Sequence, residues 1–124
     1  MRNSPQRITC TPEHWKIQNK LVEELKHEFP NDSVICEENY VDVTLHTDHE
    51  TVIFEIKSDK DARTVIRNAL GQILEYAYHP RNKHQKALRL VIVGQSKPSK
   101  ADRDFVAKLN KDFSIPISYR TVTL

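Results

Sequence analysis

YVDVTLHTDHETVIFEIK, residues 40–57, is two β-branched runs joined by a short polar turn. Residues 40–47 alternate and predict a strand, Asp48-His49-Glu50 a hairpin turn, and residues 51–57 the returning strand. Side chains alternate along a strand, so Val41, Val43 and Leu45 share one face of the first, and Tyr40, Asp42 and Thr44 the other. On the second, Val52, Phe54 and Ile56 share one face and Ile53, Glu55 and Lys57 the other. Asp is depleted in strand interiors, and burying an unpaired carboxylate costs several kcal/mol. Asp42 and Glu55 therefore need a reason. The plain one is an edge strand with a solvated Glu–Lys face. The other is a site: pairing across the hairpin puts both carboxylates on one face, within reach of a shared cation. Two carboxylates with backbone oxygen and water suit Mg²⁺, a hard ion that keeps part of its hydration shell. Lys57, on the same face, is then placed to orient a water and to stabilise charge on a phosphate.

Outward from the hairpin, the order of elements is αβββαβαβ. Thr11 is an N-cap with Pro12 at the first helical position, and the helix runs over 13–29, stopping before Pro30. A short strand follows at 33–37. A second helix fits 62–79 and ends at Pro80; residues 87–93 (ALRLVIV) form an apolar run typical of a strand covered on both faces. A third helix at 101–110 and a strand at 115–122 complete the chain. The first three strands fit an antiparallel meander, and the later helical crossovers add parallel neighbours. The expected product is an α/β fold with one mixed sheet between helices, a class that names no function by itself.

Both long helices carry polar residues near their apolar stripes. On the first, Ile17, Leu21, Val22, Leu25 and Phe29 make the stripe, His14 and Gln18 project from its middle, and Glu23 and Glu24 point away. On the second, Val65, Ile66, Ala69 and Ile73 make the stripe, with Gln72 and Tyr76 along one edge. Each alone is an ordinary flank or a satisfied core histidine; next to an Asp and an ExK they become candidates for the same site. Trp15 is expected in packing, and Tyr40, Tyr78 and Tyr119 carry no signal.

The 124 residues fit one domain at 11–124 behind a polar lead-in at 1–10. With 38% hydrophobic and 29% charged residues the chain is neither disordered nor fibrous. Cys10 and Cys36 have neither the number nor the spacing for a disulfide framework or a zinc site. The absence of an apolar N-terminal run predicts no signal peptide, no membrane partner and a cytoplasmic location. A net charge of +2 is too weak to name a polyanion. Its distribution is more informative: Arg81, Lys83, His84, Lys86 and Arg89 form one basic segment, and Lys97, Lys100 and Arg103 another. Both are solvated loops or backbone-holding surfaces.

Asp42, then Glu55-Ile56-Lys57 on the next strand, then Gln72 to Tyr76 as QxxxY on the following helix resembles the PD-(D/E)XK nuclease superfamily, in its QxxxY-containing subgroup. The resemblance covers residues 11–122. The run IRNALGQILEYAY is also similar to a domain found at the ends of larger bacterial proteins. The resemblance implies a restriction-endonuclease-like αβββαβ core with an added C-terminal helix and strand. It also implies metal-dependent phosphodiester hydrolysis in a defence, restriction or repair context, with nucleic acid, DNA first, as partner. In it Asp42 and Glu55 are the metal ligands for Mg²⁺, for which Mn²⁺ can substitute. Lys57 is the catalytic lysine, and Gln72 and Tyr76 support the site or touch the DNA backbone. Val41 stands where many members have proline. Where some relatives carry a Glu or His ligand on the first helix, this chain offers His14 and Gln18; Glu38 is a further candidate. Arg81, Lys83, Lys86, Lys97 and Lys100 would hold phosphates without reading bases. The alternative is a catalytically silent nucleic-acid-binding or protein-interaction module on the same fold, acting as a homodimer or within a larger multidomain protein.

Overall fold

Thr11 accepts a hydrogen bond from the His14 backbone N–H and so starts helix α1, Pro12–Glu28, with Pro12 in its first turn. The computed structural model describes residues 11–124; the lead-in expected at 1–10, with Cys10, lies outside the described residues. After α1 come β1 (Ser33–Cys36), β2 (Val43–His46), β3 (Glu50–Ile56), α2 (Ala62–Tyr78), β4 (Ala87–Gly94), α3 (Lys100–Phe113) and β5 (Ile117–Thr121). The strands lie side by side in chain order as one sheet of five. β1, β2 and β3 are an antiparallel meander, and β4 and β5 add in parallel. Each parallel neighbour requires a crossover, which α2 and α3 supply. The fold is therefore α/β, a mixed sheet flanked by helices.

The two faces of the sheet carry separate cores. Ile17, Leu21 and Leu25 of α1 pack on Val43, Leu45, Val52, Phe54, Ile56, Val91 and Val93. Val65, Ile66, Ala69 and Ile73 of α2, with Val106 of α3, pack on Ile53, Leu90, Ile92 and Ile117. The run at 87–93 thus divides its apolar residues between both faces, as its lack of alternation predicts. α2 begins at Asp61, whose carboxylate accepts from the Thr64 backbone N–H, and α3 at a capping box of Ser99 and Asp102. No helix among the described residues is long and apolar enough to cross a membrane.

One element departs from expectation. The strand predicted over 40–47 begins only at Val43, behind a 3-10 turn at Glu38–Tyr40. Glu37, Asn39 and Tyr40 take left-handed backbone conformations, with φ of 57°, 53° and 68°. That turn breaks the period of two. Val41 consequently packs in the α2-side core and Val43 in the α1-side core, so the two valines do not share a face. Trp15, expected in packing, is exposed and meets the His14 ring edge-on.

Candidate active site

Asp42 sits between that turn and β2. The β2–β3 register pairs Val43 with Phe54. One step further along it sets Asp42 beside Glu55. Its backbone carbonyl accepts from the Glu37 N–H at 3.0 Å and its Oδ2 accepts from the Ile56 N–H at 2.8 Å. The side chain therefore closes the end of the ladder and is held at both ends. His14 Nε2 of α1 lies 3.4 Å from the same Oδ2. Gln18, one helical turn on, is only 2% exposed. Its Oε1 has no hydrogen-bond partner, and neither has His14 Nδ1. Buried polar atoms without partners are uncommon, and each calls for an explanation.

Glu55 is 8% exposed, on the α2-side face near the end of β3. Burial, and then the neighbouring Asp42 carboxylate, push its carboxyl up to about 8, while Lys57 pulls the other way. Lys57 follows β3 directly, its backbone N–H donating to Val93 O at 3.1 Å. Its Nζ donates to Gln72 Oε1 at 2.5 Å and lies 3.7 Å from Glu55 Oε2. Gln72 of α2 thus fixes the ammonium next to the buried carboxyl.

A cleft of about 410 Å³ opens above Glu55, walled by Tyr40, Gln72, Tyr76, Arg81 and Asn82 among others. The segment after α2 is tied back onto it. Asn82 Nδ2 donates to Tyr76 O at 3.1 Å, and the His84 ring lies 5.2 Å from that of Tyr76. Arg81 is thereby kept at the cleft mouth, and Lys83 is exposed on the same segment.

The remaining candidates separate. Glu38 pairs with His46 Nε2 at 2.8 Å, and no contact joins it to Asp42 or Glu55 among the described residues. Lys86 donates to Thr47 O at 2.6 Å and Arg89 is paired with Glu50. Both stand at the hairpin end of β3, while Glu55 lies near its other end, so the first basic segment is not one surface. Lys97 and Lys100 follow β4, which runs parallel to β3, and so lie at the end of the sheet where Lys57 is. There Gln95 donates to Ser58 O at 2.9 Å, and Lys100 pairs with Asp104. Tyr40, Asn39 and Asn82 were missed in sequence. Only the folding-back of two separate loops onto α2 brings them to the cleft, and no local pattern encodes that.

Among the described residues, no three His, Cys, Asp or Glu side chains converge as a metal cluster. A cation here would rest on Asp42 and Glu55, completed by backbone oxygen and by water. That donor set is all oxygen with two negative charges, the type Mg²⁺ takes. Burial and the Asp42 carboxylate raise the Glu55 carboxyl, and a positive charge held between the two would offset both. In comparisons with protein-family models, curated proteins and solved structures, no match to the chain was found.

Proposed function

We propose that this chain is a Mg²⁺-dependent nuclease of the PD-(D/E)XK kind, with a restriction-endonuclease-like core, hydrolysing phosphodiester bonds in nucleic acid and foremost in DNA. The observation that carries this reading is Glu55, a carboxyl buried beside a second carboxylate and beside a lysine that Gln72 holds in place. A structural salt bridge explains Glu55 with Lys57, and Asp42 closes the ladder at Ile56, but neither role needs two carboxylates side by side.

Asp42 and Glu55 hold the ion, and the backbone bond to Ile56 fixes Asp42 for it. A bound divalent ion stabilises charge that develops on the phosphate and lowers the pKa of water. Lys57 orients the attacking water and offsets negative charge in the transition state. Gln72 limits the lysine to one position, which keeps that orientation from costing side-chain entropy at each turnover. Arg81 and Lys97 hold the flanking phosphates, contacts that position the strand without reading bases, so cleavage is without strong sequence preference.

Asp42→Asn tests this assignment while keeping the residue's shape. It is expected to abolish cleavage and to leave nucleic-acid binding intact or tighter. A wild type that binds DNA equally with and without Mg²⁺, and never cuts it, would instead identify a silent binding module.

A further inference from the structure

The cleft above Glu55 has features that phosphodiester hydrolysis alone does not need. Tyr40 is 64% exposed, although it lines the cleft. It stands there on a backbone with φ of 68°, a conformation that bulky side chains seldom take. Such outliers persist where the surroundings impose them, and they cluster at sites that bind something. Across the cleft stand Arg81, exposed, and the amide of Asn82; Asn39 adds a second amide beside Tyr40. The volume of about 410 Å³ is within the range of small-molecule sites. A single base fits within that volume.

We propose that this cleft is a subsite for one unstacked base of a single-stranded nucleic acid, with Tyr40 as its stacking platform and Arg81 on the adjoining phosphate. The inference rests on the nuclease reading for the role of Glu55 and deepens it, since it names the form of the substrate. Aromatic stacking accepts any base, because every base has a π-face. The Asn39 amide can both donate and accept, so it satisfies any base edge without selecting one. The Asn82 amide nitrogen is engaged with the Glu75 and Tyr76 carbonyls and holds its segment against the cleft. Glu75 also lines the cleft and disfavours phosphate beside it, so Arg81 is the lining residue that attracts the backbone. In a duplex the base must first leave the stack, an added cost that a single strand avoids.

The test is fluorescence anisotropy with Asp42→Asn protein in Mg²⁺, a variant outside the cleft that prevents cleavage. The probes are labelled 20-nucleotide oligothymidylate, an abasic strand of equal length, oligouridylate and a blunt 20-base-pair duplex. Oligothymidylate is expected to bind roughly tenfold more tightly than the abasic strand and the duplex. Adding Tyr40→Ala should remove that advantage, and Tyr40→Phe should keep it. Oligouridylate at equal or lower affinity supports the subsite in either case and decides which sugar it accepts. Equal binding of the abasic and thymidylate strands overturns the proposal, and this comparison needs no substitution at Tyr40. So does a folded Tyr40→Ala protein with undiminished preference. Wild type that cuts DNA without these preferences would remove the subsite and leave the nuclease; preference without any cutting would do the reverse.

Discussion

Glu55 is a carboxyl whose folded-state pKa of about 8 stands above its ordinary value of 4.5. Between those two pH values the folded protein keeps a proton that the unfolded chain has released, so this group lowers stability as pH rises through that window. Glu55→Gln removes the dependence. In EDTA, its melting temperature should exceed that of wild type by an amount that grows from pH 5 to pH 8, reaching the equivalent of a few kcal/mol. Mg²⁺ at pH 8 should then raise the melting temperature of wild type alone; parallel curves for the two proteins would contradict the electrostatic account. Gln18→Leu carries a related expectation. It replaces a buried oxygen that has no partner by an apolar group of similar size, and should stabilise the protein by about 1 kcal/mol in denaturant unfolding. A destabilised Gln18→Leu would mean that the amide is satisfied within the fold. At this scale the sequence is informative wherever polarity and position conflict. Glu55 and Gln18 stand out because their apolar neighbours have to be buried. Tyr40 does not stand out, since an aromatic in a β-branched run is ordinary until the backbone around it is known.

The elements follow from local chemistry, and the errors lie at one join. α1 was readable because a cap, an apolar stripe and a stop occur in the right order, and α2 because an apolar stripe ends at Pro80. The β2 start was not, because Tyr40, whose side chain is strand-like, ends a turn at Glu38–Tyr40 with left-handed backbone, and the chain is extended again only from Val41. What overrides the pattern is tertiary: Val41 is drawn into the α2-side core, and Asp42 is left to close the ladder at Ile56. Two glycines give opposite predictions. Gly71 lies mid-helix in α2, and an added Cβ would meet nothing within 4 Å. Gly71→Ala should therefore stabilise the fold by roughly 0.5–1 kcal/mol in denaturant unfolding. Gly94 ends β4, where a Cβ would press on the Tyr119 hydroxyl and stand 3.1 Å from both Val65 methyls. That hydroxyl is engaged with Ser96 O at 2.7 Å, so it cannot yield freely. Gly94→Ala should cost roughly 1–3 kcal/mol. A neutral result would mean that α2 shifts on the sheet without penalty.

For the whole molecule, the α/β class and the strand order were legible because hairpin strands and helical crossovers leave few ways to pair. The location of charge was not. Arg81 and Lys86 are close in sequence but stand at the cleft mouth and at the hairpin end of the sheet, whereas Lys97 reaches the Lys57 end through β4. Chain proximity could not reveal that separation, which depends on strand direction. The candidate site itself draws on four parts of the fold: α1, the turn before β2, the end of β3 and α2. The most direct test of the account is cleavage of supercoiled plasmid and short single- and double-stranded DNA, comparing wild type with Lys57→Ala in Mg²⁺, Mn²⁺ and EDTA. The account predicts cutting in both metals, none in EDTA, and loss of at least a hundredfold in the variant with its melting temperature retained. Cutting that survives in EDTA or in Lys57→Ala, or no cutting by wild type at high enzyme in either metal, would contradict it.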